Sequence, residues 1–136
     1  MQYSGQANHK YKILIVEDDK PTRDLLEAII SRKYPEIKLL TAGNGREGLD
    51  VFQKQQPEIV FTDISMPLMD GIEMAGEMKK IKPETIFVVL TAFNNRSFLS
   101  KFNEIGYSTY VTKPIEFNKL FEALNKCITE AVSVSR

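Results

Sequence analysis

A doubly wound α/β domain, built on a five-stranded parallel sheet with helices on both faces, is the architecture this sequence predicts. Two observations carry the prediction. A Pro-Glu pair precedes an apolar run three times, in YPEIKLL from Tyr34, QPEIVFTD from Gln56 and KPETIFVVLTA from Lys82. The prolines, at 35, 57 and 83, are separated by about the length of one strand plus one helix, which is the repeat of a βα unit. The runs ILIV (13–16) and IFVVL (86–90) are continuously apolar rather than alternating, as befits strands covered on both faces, and such strands belong to parallel sheets.

The elements follow in order. Strands are expected near 12–17, 37–42, 58–63, 85–91 and 107–112, each followed by a helix. The first helix opens after Asp19 and Lys20, with Pro21 in the first turn, where a missing amide costs nothing. Its apolar face is read as Leu25, Leu26, Ile29 and Ile30. Asp19 reads as that helix's cap. Each proline of the repeat ends the helix before it, and the β-branched or aromatic run beyond reads as a strand. Asp70-Gly71 makes a turn and caps the third helix. The last helix carries Phe117, Leu120, Phe121, Leu124 and Ile128 at helical spacing. Right-handed crossovers between successive strands then place helices on both faces.

Composition sets the bounds. The chain has 136 residues, 43% of them hydrophobic and 26% charged, enough for one domain with a single core. Residues 1–10 form a polar leader, 11–130 the domain and 131–136 a short tail. Eighteen basic residues balance eighteen acidic ones, so no global field favours nucleic acid or an anionic membrane. With no signal peptide and no apolar run of spanning length, a cytoplasmic protein without membrane insertion is expected. The lone Cys127 reads as a small apolar filler, and His9 has no partner with which to make a metal site. Met66, Met69, Met74 and Met78 read as packing residues, and Phe98, Phe102, Phe117 and Phe121 mostly as core or helix-packing positions.

In open α/β sheets ligands bind beyond the carboxyl ends of the strands. Here the first strand delivers Glu17, Asp18 and Asp19, the third Asp63, the fourth Thr91 and the fifth Lys113. Carboxylates about 5 Å apart repel by roughly 3 kcal/mol at an effective dielectric near 20, so a cluster of them is costly unless a cation or a proton offsets it. Oxygen ligands without histidine or cysteine point to Mg²⁺. A carboxylate flanked by Mg²⁺, a lysine and a hydroxyl is equipped to attack a phosphoryl group, and Asp63 is placed to be that nucleophile.

The ordered set ILIVEDD, FTDISMPLMDG, VVLTA, Tyr110 and TKP resembles the receiver domain of two-component response regulators, across about residues 11–130. The resemblance implies a flavodoxin-like sheet of order 2-1-3-4-5. It implies that Glu17 and Asp18 hold Mg²⁺, Asp18 the more directly, and that Asp63 is both metal ligand and phosphoacceptor. Ser65 would offer its backbone carbonyl to the metal, Thr91 would contact a phosphoryl oxygen and Lys113 would pair with the phosphoryl group. A cis peptide between Lys113 and Pro114 is implied too. The partners implied are a sensor histidine kinase or phosphotransfer protein, and a homodimer through the fourth helix, fifth strand and fifth helix. The resemblance implies that Thr91 and Tyr110 would form the switch pair. The chain would be a regulatory phosphoacceptor and no enzyme beyond its own phosphorylation and dephosphorylation, with no direct binding of nucleic acid. Ser65 is small and Phe93 bulky at the two positions that influence attack by water in the family. With no effector after the last helix, the chain reads as a stand-alone receiver or one cut from a larger protein.

One motif argues otherwise. GNGREG, residues 43–48, matches G-x-G-x-x-G after a strand, opens a helix, and has Asp63 twenty residues beyond Gly43. A dinucleotide-binding Rossmann-like module using Gly43, Gly45 and Gly48 is therefore the alternative. It leaves Glu17, Asp18, Thr91 and Lys113 unexplained. The receiver resemblance instead makes Asn44-Gly45 a turn feeding a helix.

Overall fold

The computed structural model describes residues 11–64, 66, 69–92 and 96–134. Ser65 and Phe93 lie outside the described residues. Strands and helices alternate strictly: β1 (Lys12–Val16), α1 (Lys20–Lys33), β2 (Lys38–Ala42), α2 (Gly45–Gln55), β3 (Ile59–Asp63), α3 (Gly71–Ile81), β4 (Ile86–Ala92), α4 (Arg96–Ile105), β5 (Thr109–Lys113) and α5 (Phe117–Val134). All four strand pairings are parallel, and the sheet order is β2-β1-β3-β4-β5, as expected. β5 begins two residues later than the sequence suggests and runs on to Lys113, which carries that side chain to the rim.

The pleat splits the interior into two layers. Successive strand residues point to opposite faces, so Ile13, Ile15, Ile59, Phe61, Val88 and Leu90 pack under α1 and α5. Leu14, Val16, Val60, Phe87 and Val89 pack under α2, α3 and α4. The single core expected from chain length is thus two cores sharing one sheet. Met66, Met74, Met78 and Phe102 are buried in the second layer and Cys127 in the first. Burial pushes the Cys127 thiol up to about 11, which makes it a filler and not a nucleophile.

The helix ends are specified locally. Asp19, Asn44 and Asp70 each cap a helix by accepting the amide of the residue three positions on, at 3.1, 2.8 and 2.8 Å. Asn44 is therefore an N-cap and Gly45 the first residue of α2, which corrects the turn expected there. Two apolar expectations also change. Leu26 and Ile30 are buried, but Leu25 is 50% exposed, because a step of about 100° per residue turns it off the face that meets the sheet. Phe117 is 48% exposed at the start of α5, and it lines an apolar groove with Leu25, Ala28 and Ile29.

Candidate functional site

Glu17 follows the last residue of β1, and Asp63 ends β3 beside it. The two strands are directly paired, so the carboxyl-terminal rim brings together residues 46 positions apart in sequence. Carboxylate oxygens of Glu17, Asp18 and Asp63 all lie within 4.8 Å of one another. Lys113 reaches in from β5, its Nζ 2.8 Å from Asp63 Oδ2 and 3.7 Å from Glu17 Oε1. Thr91 is buried on β4, opposite Thr112 and one residue beyond Leu90, the partner of Asp63. The expected site residues among those described, Glu17, Asp18, Asp63, Thr91 and Lys113, thus converge on one end of the sheet. Tyr110 is separate, three residues back along β5, with its ring 48% exposed and edge-on to Tyr107. The Lys113-Pro114 peptide is cis.

The environments of the three acids differ. Glu17 is completely buried. Its Oε2 accepts the Asp19 amide at 2.9 Å, while its Oε1 has no hydrogen-bond partner among the described residues. Burial above all, then the hydrogen bond from Asp19 in the opposite sense and the Asp63 charge, bring its pKa up to about 7. Asp18 is exposed and Asp63 nearly buried. Burial alone would lower the Lys113 ammonium, but its hydrogen bond to Asp63 and the surrounding carboxylates outweigh that and raise it. Asp19 is committed elsewhere: the Thr22 hydroxyl, at 2.5 Å, and amide hold it below the ordinary carboxylate range.

This donor set fits a hard divalent cation. A buried carboxylate oxygen without a hydrogen-bond partner costs free energy unless a cation or proton satisfies it, and the oxygens gathered around it are the ligand type Mg²⁺ takes. No helix among the described residues is long and apolar enough to cross a membrane.

Sequence reasoning passed over Arg23. Its Nη1 donates to the Glu17 carbonyl at 2.7 Å, while the Glu17 amide donates to the Ala42 carbonyl at 3.1 Å, so the acidic turn is held on both sides. The one local signal was its place four residues after the Asp19 cap, on the first full turn of α1.

The glycine motif has a structural cause. A Cβ on Gly45 would stand 2.1 Å from the Met69 carbonyl oxygen, and one on Gly48 would stand 2.9 Å from Met74 Sδ. The Asn44 side chain occupies the first turn of α2, and Glu47 Oε1 accepts the Gly43 amide at 2.5 Å. These glycines face the protein's own atoms, so the dinucleotide reading is not favoured.

Comparison with known proteins gives a consistent picture. The family model for the response regulator receiver domain matches residues 13–125. The chain is 33% identical to the chemotaxis protein CheY of Thermotoga maritima, over 85% of this chain and 95% of that one. Sporulation initiation phosphotransferase F of Bacillus subtilis is 31% identical, with 85% and 91% covered. A probable C4-dicarboxylate response regulator, DctR, of Bacillus subtilis is also 31% identical, but the chain spans only 53% of its length. Among solved structures, the N-terminal domain of an uncharacterized protein from Wolinella succinogenes superimposes with a TM-score of 0.82 at 35% identity, covering 90% of this chain and 98% of that one. A response regulator receiver domain protein from Clostridium thermocellum gives 0.84 at 25% identity, with 91% and 98% covered.

Proposed function

The chain belongs to the response regulator receiver family, and from that premise we propose that Asp63 accepts a phosphoryl group from a phosphohistidine donor. The observation that carries the reading is the gathering of Glu17, Asp18 and Asp63 oxygens within 4.8 Å, with Lys113 at 2.8 Å from Asp63. Glu17, Asp18, Asp63 and the Ser65 carbonyl would hold Mg²⁺, which when bound supplies charge neutralisation to the phosphoryl oxygens. An oxygen of Asp63 attacks phosphorus. The new P–O bond forms as the P–N bond breaks, and the imidazole leaves with the electron pair and takes up a proton. Lys113 holds Asp63 in place before transfer and pairs with the phosphoryl oxygens after it, while the Thr91 hydroxyl donates to one of them.

Receiver domains are regulatory and work with histidine kinases or phosphotransfer proteins. In this reading residues 11–130 make the functional unit in the cytoplasm, and the output is a change of surface. Thr91 drawn toward the phosphoryl group opens space into which Tyr110, now 48% exposed, can turn. That repacks the face of α4, β5 and α5, proposed as the partner or homodimer surface. A net charge of zero supports a protein partner over direct binding of nucleic acid.

Intact-mass measurement with Mg²⁺ and acetyl phosphate tests the acceptor. The native chain should gain one phosphoryl group, about 80 Da, and Asp63→Asn should gain none, because an amide is a poor nucleophile. An equal gain in the variant would assign the phosphoryl group to another residue.

A further inference from the structure

The loop that follows Asp63 is held at both of its ends. Where it leaves β3 and enters α3, the Gly71 amide donates to the Ile64 carbonyl at 2.7 Å, and a Cβ on Gly71 would stand 2.3 Å from the Asp63 carbonyl oxygen. Ile64 and Met66 are buried in the layer under α2 and α3. Farther along, the loop meets α2. A Cβ on Gly45 would lie 2.1 Å from the Met69 carbonyl oxygen and 2.9 Å from its carbon. Both atoms are backbone, so no side-chain rotation could relieve the overlap. Gly48, one turn on, has the side chains of Met74 and Val16 nearest, at 2.9 and 3.0 Å.

The surface that the loop meets is stiff. Asn44 Oδ1 accepts the Glu47 amide at 2.8 Å, Glu47 Oε1 accepts the Gly43 amide at 2.5 Å, and the Gly48 amide donates to the Asn44 carbonyl at 2.9 Å. The first turn of α2 is thereby held by hydrogen bonds within residues 43–48. In an ordinary first turn alanine is the better helix former, so glycine at 45 answers a steric demand and not a helical one.

We propose that Gly45 is a positioning residue for the metal and phosphoryl site, its missing side chain letting the capped first turn of α2 serve as a backstop for the Met69 backbone. The proposal rests on the receiver reading of the site, in which the Asp63 carboxylate is a Mg²⁺ ligand. A side chain at 45 pushes the Met69 carbonyl outward. Met69 lies two residues before Gly71, whose amide is bonded to the Ile64 carbonyl next to Asp63, so the displacement reaches the Asp63 carboxylate and loosens its hold on the cation without touching it.

Calorimetric Mg²⁺ titration of the full chain tests this, alongside thermal melts in chelator, for the native protein, Gly45→Ala, Gly48→Ala and Asn44→Ala. Gly45→Ala should weaken Mg²⁺ binding about tenfold or more, and its phosphorylation by acetyl phosphate should recover at saturating Mg²⁺. Gly48→Ala should lower the melting temperature while keeping Mg²⁺ affinity within about twofold of native, since it disturbs side chains away from the loop. Should Gly45→Ala fail to fold, Asn44→Ala decides, because it frees the α2 turn without adding an atom at the contact; a several-fold weaker Mg²⁺ affinity is then expected. Native-like Mg²⁺ affinity in folded Gly45→Ala, or in Asn44→Ala where the former does not fold, overturns the proposal, as does an equal loss of affinity in Gly48→Ala. A native chain that binds no Mg²⁺ overturns the receiver reading itself, a result distinct from all of these.

Discussion

Raising the pH of the metal-free protein from 5 to 8 should weaken it, and Glu17 is the reason. Burial, reinforced by the Asp63 charge, takes this carboxyl from 4.5 up to about 7, against the opposing pull of the Asp19 amide and Lys113. Between those values the folded protein keeps a proton that the unfolded chain has already released. The folded state binds more protons there, so stability falls as pH rises. The contribution is complete below the unfolded value and gone above the folded one. At ~1.4 kcal/mol per pH unit, the displacement corresponds to about 3 kcal/mol. For a chain of 136 residues, with an unfolding entropy of ~2.1 cal/mol/K per residue, that is about 10 °C in melting temperature. The assay is calorimetry in chelator at several pH values, with Glu17→Gln measured in parallel. The amide cannot ionise, so the variant should show a flatter profile and exceed the native protein at pH 8. Mg²⁺ should raise the native melting temperature more at pH 8 than at pH 5, where protons compete for Glu17. A native melting temperature that holds or rises across the window would refute the reasoning, as would an unchanged slope in Glu17→Gln.

Lys113→Met removes the cation 2.8 Å from Asp63, so Mg²⁺ affinity should rise, on the order of tenfold, while the rate of phosphorylation by acetyl phosphate falls; titration and intact-mass time courses check the two together. Tyr34→Phe deletes the hydroxyl that donates to Asn125 Oδ1 at 2.5 Å and ties the end of α1 to α5, which should cost about 1 kcal/mol in urea unfolding without altering Mg²⁺ affinity. Beryllofluoride, standing in for the phosphoryl group, should shift amide NMR signals near Tyr110 in the native protein, and those shifts should vanish in Thr91→Ala while shifts around Asp63 persist.

Much of this molecule is a local matter. The prolines at 35, 57 and 83, the caps at Asp19 and Asp70, and the continuous apolar runs each act on a few neighbouring residues, so strands, helices and parallel class could be read along the chain. The strand ends were legible for a related reason. In a βα repeat every strand points the same way, so whatever follows each apolar run must arrive at one rim, and Glu17, Asp63, Thr91 and Lys113 could be grouped before any distance was known.

What the chain could not announce depends on pairs far apart in sequence. The exposure of Leu25 and Phe117 follows from how α1 and α5 rotate against the sheet, and apolarity alone assigns both to the interior. The division of one expected core into two layers follows from the pleat of strands that had first to be paired. GNGREG reads as a phosphate-binding loop because its spacing is a local property, whereas the atom that makes Gly45 necessary is the Met69 carbonyl oxygen, 24 residues away and 2.1 Å from where a Cβ would stand. Tertiary structure likewise decided the chemistry of Glu17. Its charge is written in the sequence, but its pKa depends on burial and on Asp63 and Lys113. Coulomb and desolvation energies vary with distance and surroundings, and neither exists until the strands have come together.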